Sequence, residues 1–138
     1  MQSGKLFKLY LLDTNTLIYF FKAIGNVSKN LLSKSPKDIS IPAIVLYELQ
    51  VGIAKSIKPQ KRKKQLDALV SRITISSFGA KEAEAAAIIR ANLERKGSPI
   101  GPYDTLIAGI AISTKSTLVT HNTKEFKRVK NLIIEDWY

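Results

Sequence analysis

The stretch "KLYLLDTNTLIYFF", Lys8 to Phe21, decides how the rest of the chain is read. Leu9, Tyr10, Leu11 and Leu12 make an apolar run of strand length, and Leu17 to Phe21 open an apolar helix. Asp13 stands at the seam, followed by Thr14, Asn15 and Thr16. An aspartate there has two readings. As a cap it accepts a free N–H of the helix. As a ligand it offers oxygen to a hard cation at the mouth of a sheet.

The rest of the chain repeats this alternation. A strand is expected over about Lys8 to Leu12, a helix over Thr14 to Ala23, and a second helix over Val27 to Lys34 after the Gly25–Asn26 break. Asp38 to Pro42 alternates like a strand, and Ala43 to Ser56 has helical spacing that Pro59 stops. Leu66, Leu69, Val70 and Ile73 mark a further helical stretch, and Arg72 to Ser77 contains a third strand. Ala80 to Lys96 is an alanine-rich helix with Ile89 and Leu93 inward and Gly97 at its end. After the loop "SPIGPYD", Tyr103 to Thr114 is apolar almost all round, which predicts a buried helix. Ser116 to Thr120, Lys124 to Val129 and Leu132 to Asp136 read as strand, short helix and strand.

Short strands separated by helices predict an α/β fold, a three-layer α/β/α sandwich around a central parallel sheet of about five short strands. Residues 1–138 show no repeat or linker and are expected to form a single domain. In such sheets the functional crevice lies at the carboxyl ends of the strands, where Asp13 and Thr120 fall.

Composition narrows the chemistry. There are no cysteines and one histidine, His121, which excludes disulfides, thiolate zinc sites, a cysteine nucleophile and a catalytic histidine pair. A metal here must be held by oxygen, favouring magnesium or manganese over zinc. The 22 Lys and Arg against 11 Asp and Glu give a net charge of +11, which favours polyanionic partners, nucleic acid first. Seventeen of those bases are lysines, better suited to attracting phosphate than to bidentate reading of bases. The leading segment "MQSGKLFKLYLLD" lacks the pattern of a signal peptide, and no apolar run has spanning length, so a cytoplasmic location is expected.

Three acids stand among uncharged neighbours. Glu48 has Ile44, Val45, Val51 and Gly52 at helical spacing, and Asp104 has Ile100, Gly101, Ile107 and Ala108. Taken singly, Asp13 and Asp104 read as helix caps, and Glu48 reads as half of a buried ion pair or a helix-edge residue as readily as a functional acid. Together they are three carboxylates where a sheet edge and two inward helix faces meet. Carboxylates gathered without a cation repel, and a divalent ion resolves the repulsion. Just past the fourth strand, Thr120, Asn122 and Glu125 are candidates for a further metal or water-positioning role, Asn122 as a neutral donor and Glu125 as the weaker of them.

The run "KSIKPQKRKK", Lys55 to Lys64, packs six bases into ten residues. It reads either as a solvated helix entry or as a phosphate-attracting rim, with Lys61, Arg62, Lys63 and Lys64 as candidate RNA contacts. His121 is expected to have no catalytic role, its place beside the site leaving substrate contact open. Tyr47 and Tyr103 are expected to be packing residues, with base stacking the minority reading.

The segments "LLDTN", "YELQVGIAKS", "IRANLERKGSPIGPYDTLIAGIA" and "LVTHNTKEFKRVKNLIIEDW" together resemble a VapC toxin of the PIN-domain ribonuclease family, over about Tyr10 to Trp137. The resemblance implies that Asp13, Glu48 and Asp104 are the acidic catalytic core, with Asp13 and Asp104 matching direct magnesium ligands. Where the family often has a Thr-x-Asp pattern, this chain has Thr120, His121 and Asn122; a branch of VapC toxins shares the Asn and carries an acid three positions on, as Glu125 does here. It further implies Mg2+-dependent cleavage of RNA, often tRNA, with Mn2+ as substitute. Neutralisation by a VapB-type antitoxin and a homodimer formed through helices of the N-terminal half complete the expectation.

Two rivals differ at named residues. A phosphoaspartate phosphatase also begins with an aspartate after a buried strand, but wants a second Asp where Asn15 stands. A non-catalytic basic nucleic-acid-binding module with a degenerate nuclease site would have no use for Asp13, Glu48 and Asp104.

Overall fold

The computed structural model describes residues 8–138. The expectation about a leader, where it concerns residues 1–7, lies outside them. Five strands form one parallel sheet: β1 Tyr10–Leu12, β2 Ile39–Pro42, β3 Thr74–Ser76, β4 Thr117–Val119 and β5 Ile134–Glu135. Around it lie α1 Thr14–Lys22, α2 Val27–Leu32, α3 Ala43–Lys55, α4 Gln60–Val70, α5 Ala80–Arg95, α6 Pro102–Thr114 and α7 Thr123–Phe126. A short turn of 3-10 helix over Pro36–Asp38, with proline at its first position, leads into β2.

The strand order is β3-β2-β1-β4-β5. The chain thus moves outward from β1 through β2 to β3, then crosses back to lay β4 on the other side of β1. All three residues of β1 and of β4 are buried. Successive side chains of a strand point to opposite faces, so uninterrupted burial means that both faces of the sheet are covered. The edge strands β3 and β5 are partly exposed. The α/β/α arrangement expected from the alternation is the one observed.

Helix packing follows the apolar stripes. Ala86, Ile89 and Leu93 are the buried face of α5, and Thr105 together with residues 107–111 buries most of α6. The two helices approach closely at Gly109: a Cβ placed there would lie 2.7 Å from Ala86 Cβ and 2.9 Å from the Ala86 backbone. This contact sets the position of α6, and α6 carries Asp104.

Most elements are a little shorter than the sequence suggests, although α6 starts one residue earlier, at Pro102. The first strand begins at Tyr10 because Leu9 is already exposed. The last helix closes at Phe126, short of Val129, in a segment that turns at Asn131 with a positive φ of 67°. Among the described residues no helix is long and apolar enough to cross a membrane.

A carboxylate site at the switch point of the sheet

Strand order reverses between β1 and β4, and a parallel sheet opens a crevice at such a point, at the carboxyl ends of its strands. Asp13 follows β1 directly there, and its backbone N–H donates to the Val119 carbonyl of β4 at 3.2 Å. The Thr16 hydroxyl donates to the same carbonyl at 3.1 Å, tying the first turn of α1 to β4. Asp13 is buried, and its Oδ1 accepts the Thr16 N–H at 3.0 Å. The capping reading is therefore correct for Asp13. The cap uses Oδ1, and the Thr120 hydroxyl also bonds to the carboxylate.

Asp104 is no cap. Gly101 holds that position, and Asp104 lies in the first turn of α6, half-buried. Its carboxyl is pushed up to about 6, first by burial, then by the charges of Asp13, Glu125 and Glu48 in that order. Four acids from four segments are therefore close enough to repel. Burial also raises Asp13, against hydrogen bonding from Thr120 and Thr16 that favours its charged form, with Asp136 adding to the rise.

Glu48, half-buried on α3, accepts the Thr14 hydroxyl at 2.7 Å through Oε1. Its ion-pair reading finds no partner: the ion pairs among the described residues join Lys8 to Glu135, Lys63 to Asp67, Arg90 to Glu94 and His121 to Asp136. None involves Asp13, Glu48, Asp104 or Glu125. No lysine or arginine contributes to the shifts of Asp13 or Asp104 either. In a chain of net charge +11, leaving these carboxylates without a cationic side chain is the defining electrostatic feature of the crevice.

The segment after β4 supplies the remaining candidates. Thr120 is fully buried, and its hydroxyl accepts the Asn122 N–H at 3.0 Å. The Asn122 side-chain amide donates to Glu125 Oε2, which leaves its carbonyl oxygen as a neutral donor. Glu125, the weaker candidate by sequence, is half-buried and is the second charge acting on Asp104. Asp136 is an acid that the sequence pattern does not single out. It follows β5, whose carboxyl end points to the same edge, and it accepts from His121 Nδ1 at 2.9 Å. His121 in turn stacks on Tyr138, with centroids 4.2 Å apart and planes at 21°.

The basic run lies elsewhere. Arg62 sits 5.0 Å above the Phe21 ring and donates to Gln65 at 2.9 Å, whereas Lys61, Lys63 and Lys64 are exposed. Phe21 is near the far end of α1 from Asp13, about 12 Å along the helix axis. Tyr47 and Tyr103 depart from expectation: both are exposed and pair with each other beside Glu48 and Asp104 instead of filling the core.

The donor set suits a hard divalent cation. All the donors are oxygens, several are anionic, and their mutual repulsion falls when a cation is shared between them. Among the described residues no three of these side chains already converge in ligating geometry.

Comparison with known proteins agrees with the fold. A sequence model of the PIN domain matches residues 10–132. The chain belongs to the PIN-domain family, and within it to the VapC ribonucleases. It is 44% identical over 131 residues to ribonuclease VapC2 of Rickettsia felis, covering 94% of this chain and 98% of that one. It is 36% identical over 128 residues to the tRNA(fMet)-specific endonuclease VapC of Salmonella typhimurium, covering 93% and 97%. The crystal structure of VapBC2 from Rickettsia felis, bound to a DNA fragment from their promoter, superposes with a TM-score of 0.87 at 42% identity, covering 94% of this chain and 99% of that chain.

Proposed function

We propose that this chain is the toxin of a type II toxin–antitoxin pair, a magnesium-dependent endoribonuclease that hydrolyses RNA phosphodiester bonds, with tRNA the leading substrate class. The observation that carries this reading is the group of unpaired carboxylates at the β1/β4 switch point of a strongly basic chain. A basic surface attracts the RNA backbone, while a cation in the acidic crevice would offset the repulsion between its carboxylates and a phosphate.

Asp13 and Asp104 would hold the ion, with Mn2+ able to replace Mg2+. When bound, the ion supplies Lewis-acid activation of water and neutralises charge developing on phosphorus. Asp13 is fixed for this task by hydrogen bonds from Thr16 and Thr120. Glu48 is fixed by Thr14 on Oε1, leaving Oε2 to accept a hydrogen bond or a proton from the attacking water. Asn122 and Glu125, bonded to each other, orient water or complete the shell from the β4 side. No covalent protein intermediate is needed.

Neutralisation by a VapB-type antitoxin, assembly as a homodimer and a cytoplasmic location belong to the same proposal. Support for an antitoxin partner comes from the Rickettsia felis relative, whose crystal structure is that of VapBC2. Brief expression of the chain, followed by sequencing of new RNA ends, tests the whole reading. The expected result is growth arrest with discrete tRNA cuts, both absent for Asp13→Asn and on co-expression of the antitoxin. Growth arrest without new RNA ends would contradict it.

A further inference from the structure

Two tyrosines border the carboxylate crevice without serving the core. Tyr47 is 55% exposed and Tyr103 43%. Their rings meet edge to face, with centroids 6.0 Å apart and planes at 79°. Each directly precedes a site acid, Tyr47 before Glu48 on α3 and Tyr103 before Asp104 on α6.

The inward stripe of α3 is Val45, Leu49 and Ile53. Tyr47 lies two positions from both Val45 and Leu49, hence on the opposite side of the helix. Tyr103 precedes the buried run of α6 that starts at Thr105. Singly exposed aromatic residues are ordinary on protein surfaces, but two in contact, each adjacent in sequence to a different acid of one site, form a patch with a specific position. An exposed ring can stack on a base of any identity, and such a contact contributes substantially to binding of unpaired strands. A base inside a duplex is already stacked on both faces and has none to offer, whereas an unpaired base can be splayed out onto an aromatic ring.

Resting on the ribonuclease reading of the carboxylates, we propose that Tyr47 and Tyr103 form a seat for an unpaired base next to the scissile phosphate. The lysine-rich surface draws in any RNA backbone; the two rings retain only those segments whose bases are free.

Binding measured without catalysis separates the seat from the chemistry. The probes are a fluorescent single-stranded oligouridylate and an abasic ribose-phosphate polymer of equal length, titrated by polarisation in EDTA. The wild-type chain is expected to bind the oligouridylate more tightly than the abasic polymer. Tyr47→Ala and Tyr103→Ala should each weaken oligouridylate binding by roughly 30-fold, the middle of the range for removing one stacking ring. Abasic binding should not move, and Tyr47→Phe and Tyr103→Phe, which keep the ring, should behave as wild type. Alanine variants that are folded by circular dichroism and bind both polymers like wild type overturn the proposal. So do variants that lose affinity for both polymers equally, because the rings would then only be holding α3 to α6. Cleavage of the oligouridylate in magnesium is read separately. Base preference without cleavage counts against the nuclease reading alone; cleavage without base preference counts against the seat alone.

Discussion

Replacing Asp104 by asparagine should stabilise the metal-free protein, and the gain should depend on pH. The Asp104 carboxyl is raised from 3.8 to about 6 by burial and by Asp13, Glu125 and Glu48. Below pH 3.8 it is protonated in both the folded and unfolded chain, so folding meets no penalty from it. As pH rises toward 6 the unfolded chain releases the proton while the folded chain retains it, and stability falls; above 6 the full penalty is present. A shift of about two units corresponds to roughly 3 kcal/mol. Asp104 is only half-buried, and solvent screening reduces that to roughly 1–1.5 kcal/mol. Asp104→Asn should therefore melt about 3–6 °C higher than wild type at pH 7.5 in EDTA. The difference should vanish below pH 3.8. Magnesium should then reverse the order, because an ion that binds the folded wild type stabilises it by mass action and the variant has lost a ligand. Thermal melts of both proteins across pH, with EDTA or magnesium, measure all of this. An Asp104→Asn protein no more stable than wild type at pH 7.5 in EDTA would refute the idea that unpaired carboxylates repel in this crevice.

Gly109→Ala should destabilise the fold by about 1–2 kcal/mol, because the new Cβ meets Ala86 at 2.7 Å and the overpacking outweighs the gain in helix propensity. Urea denaturation checks this, and a variant as stable as wild type contradicts it. Changing Lys61, Lys63 and Lys64 to alanine should weaken RNA binding and lower the log–log salt slope by about 0.7 for each phosphate that is no longer neutralised. Arg62→Ala should instead lower stability, since its guanidinium covers the Phe21 ring. An unchanged salt slope in the triple variant would leave the run as a helix entry alone.

The sequence already displays most of the sheet and the three main acids, for a physical reason. A parallel sheet covered on both faces needs unbroken apolar strands such as Tyr10–Leu12 and Thr117–Val119, and these end abruptly at Asp13 and Thr120. Glu48 and Asp104 are visible because charges among apolar neighbours violate the helical pattern around them. Asp136 breaks no such pattern. It is exposed beyond a two-residue strand, and only the parallel pairing of β5 beside β4 brings it to the Asp13 edge. Glu125 looks like any solvated glutamate until the turn after β4 folds it toward Asp104. The exposure of Tyr47 is legible in principle: the Val45–Leu49–Ile53 stripe already points the opposite way. That of Tyr103 is not, because its surroundings depend on how α3 meets α6.

RNA cleavage by the wild-type chain, Asp13→Asn and Asp104→Asn, each in magnesium and in excess EDTA, tests the central claim most directly. The variants should be confirmed as folded, since neither carboxylate supports the fold through an ion pair. Cleavage is expected from the wild type in magnesium and from no other combination. Wild-type rates in either folded variant, or undiminished cleavage in chelator, would mean that the carboxylates at the β1/β4 switch point are not the seat of the chemistry.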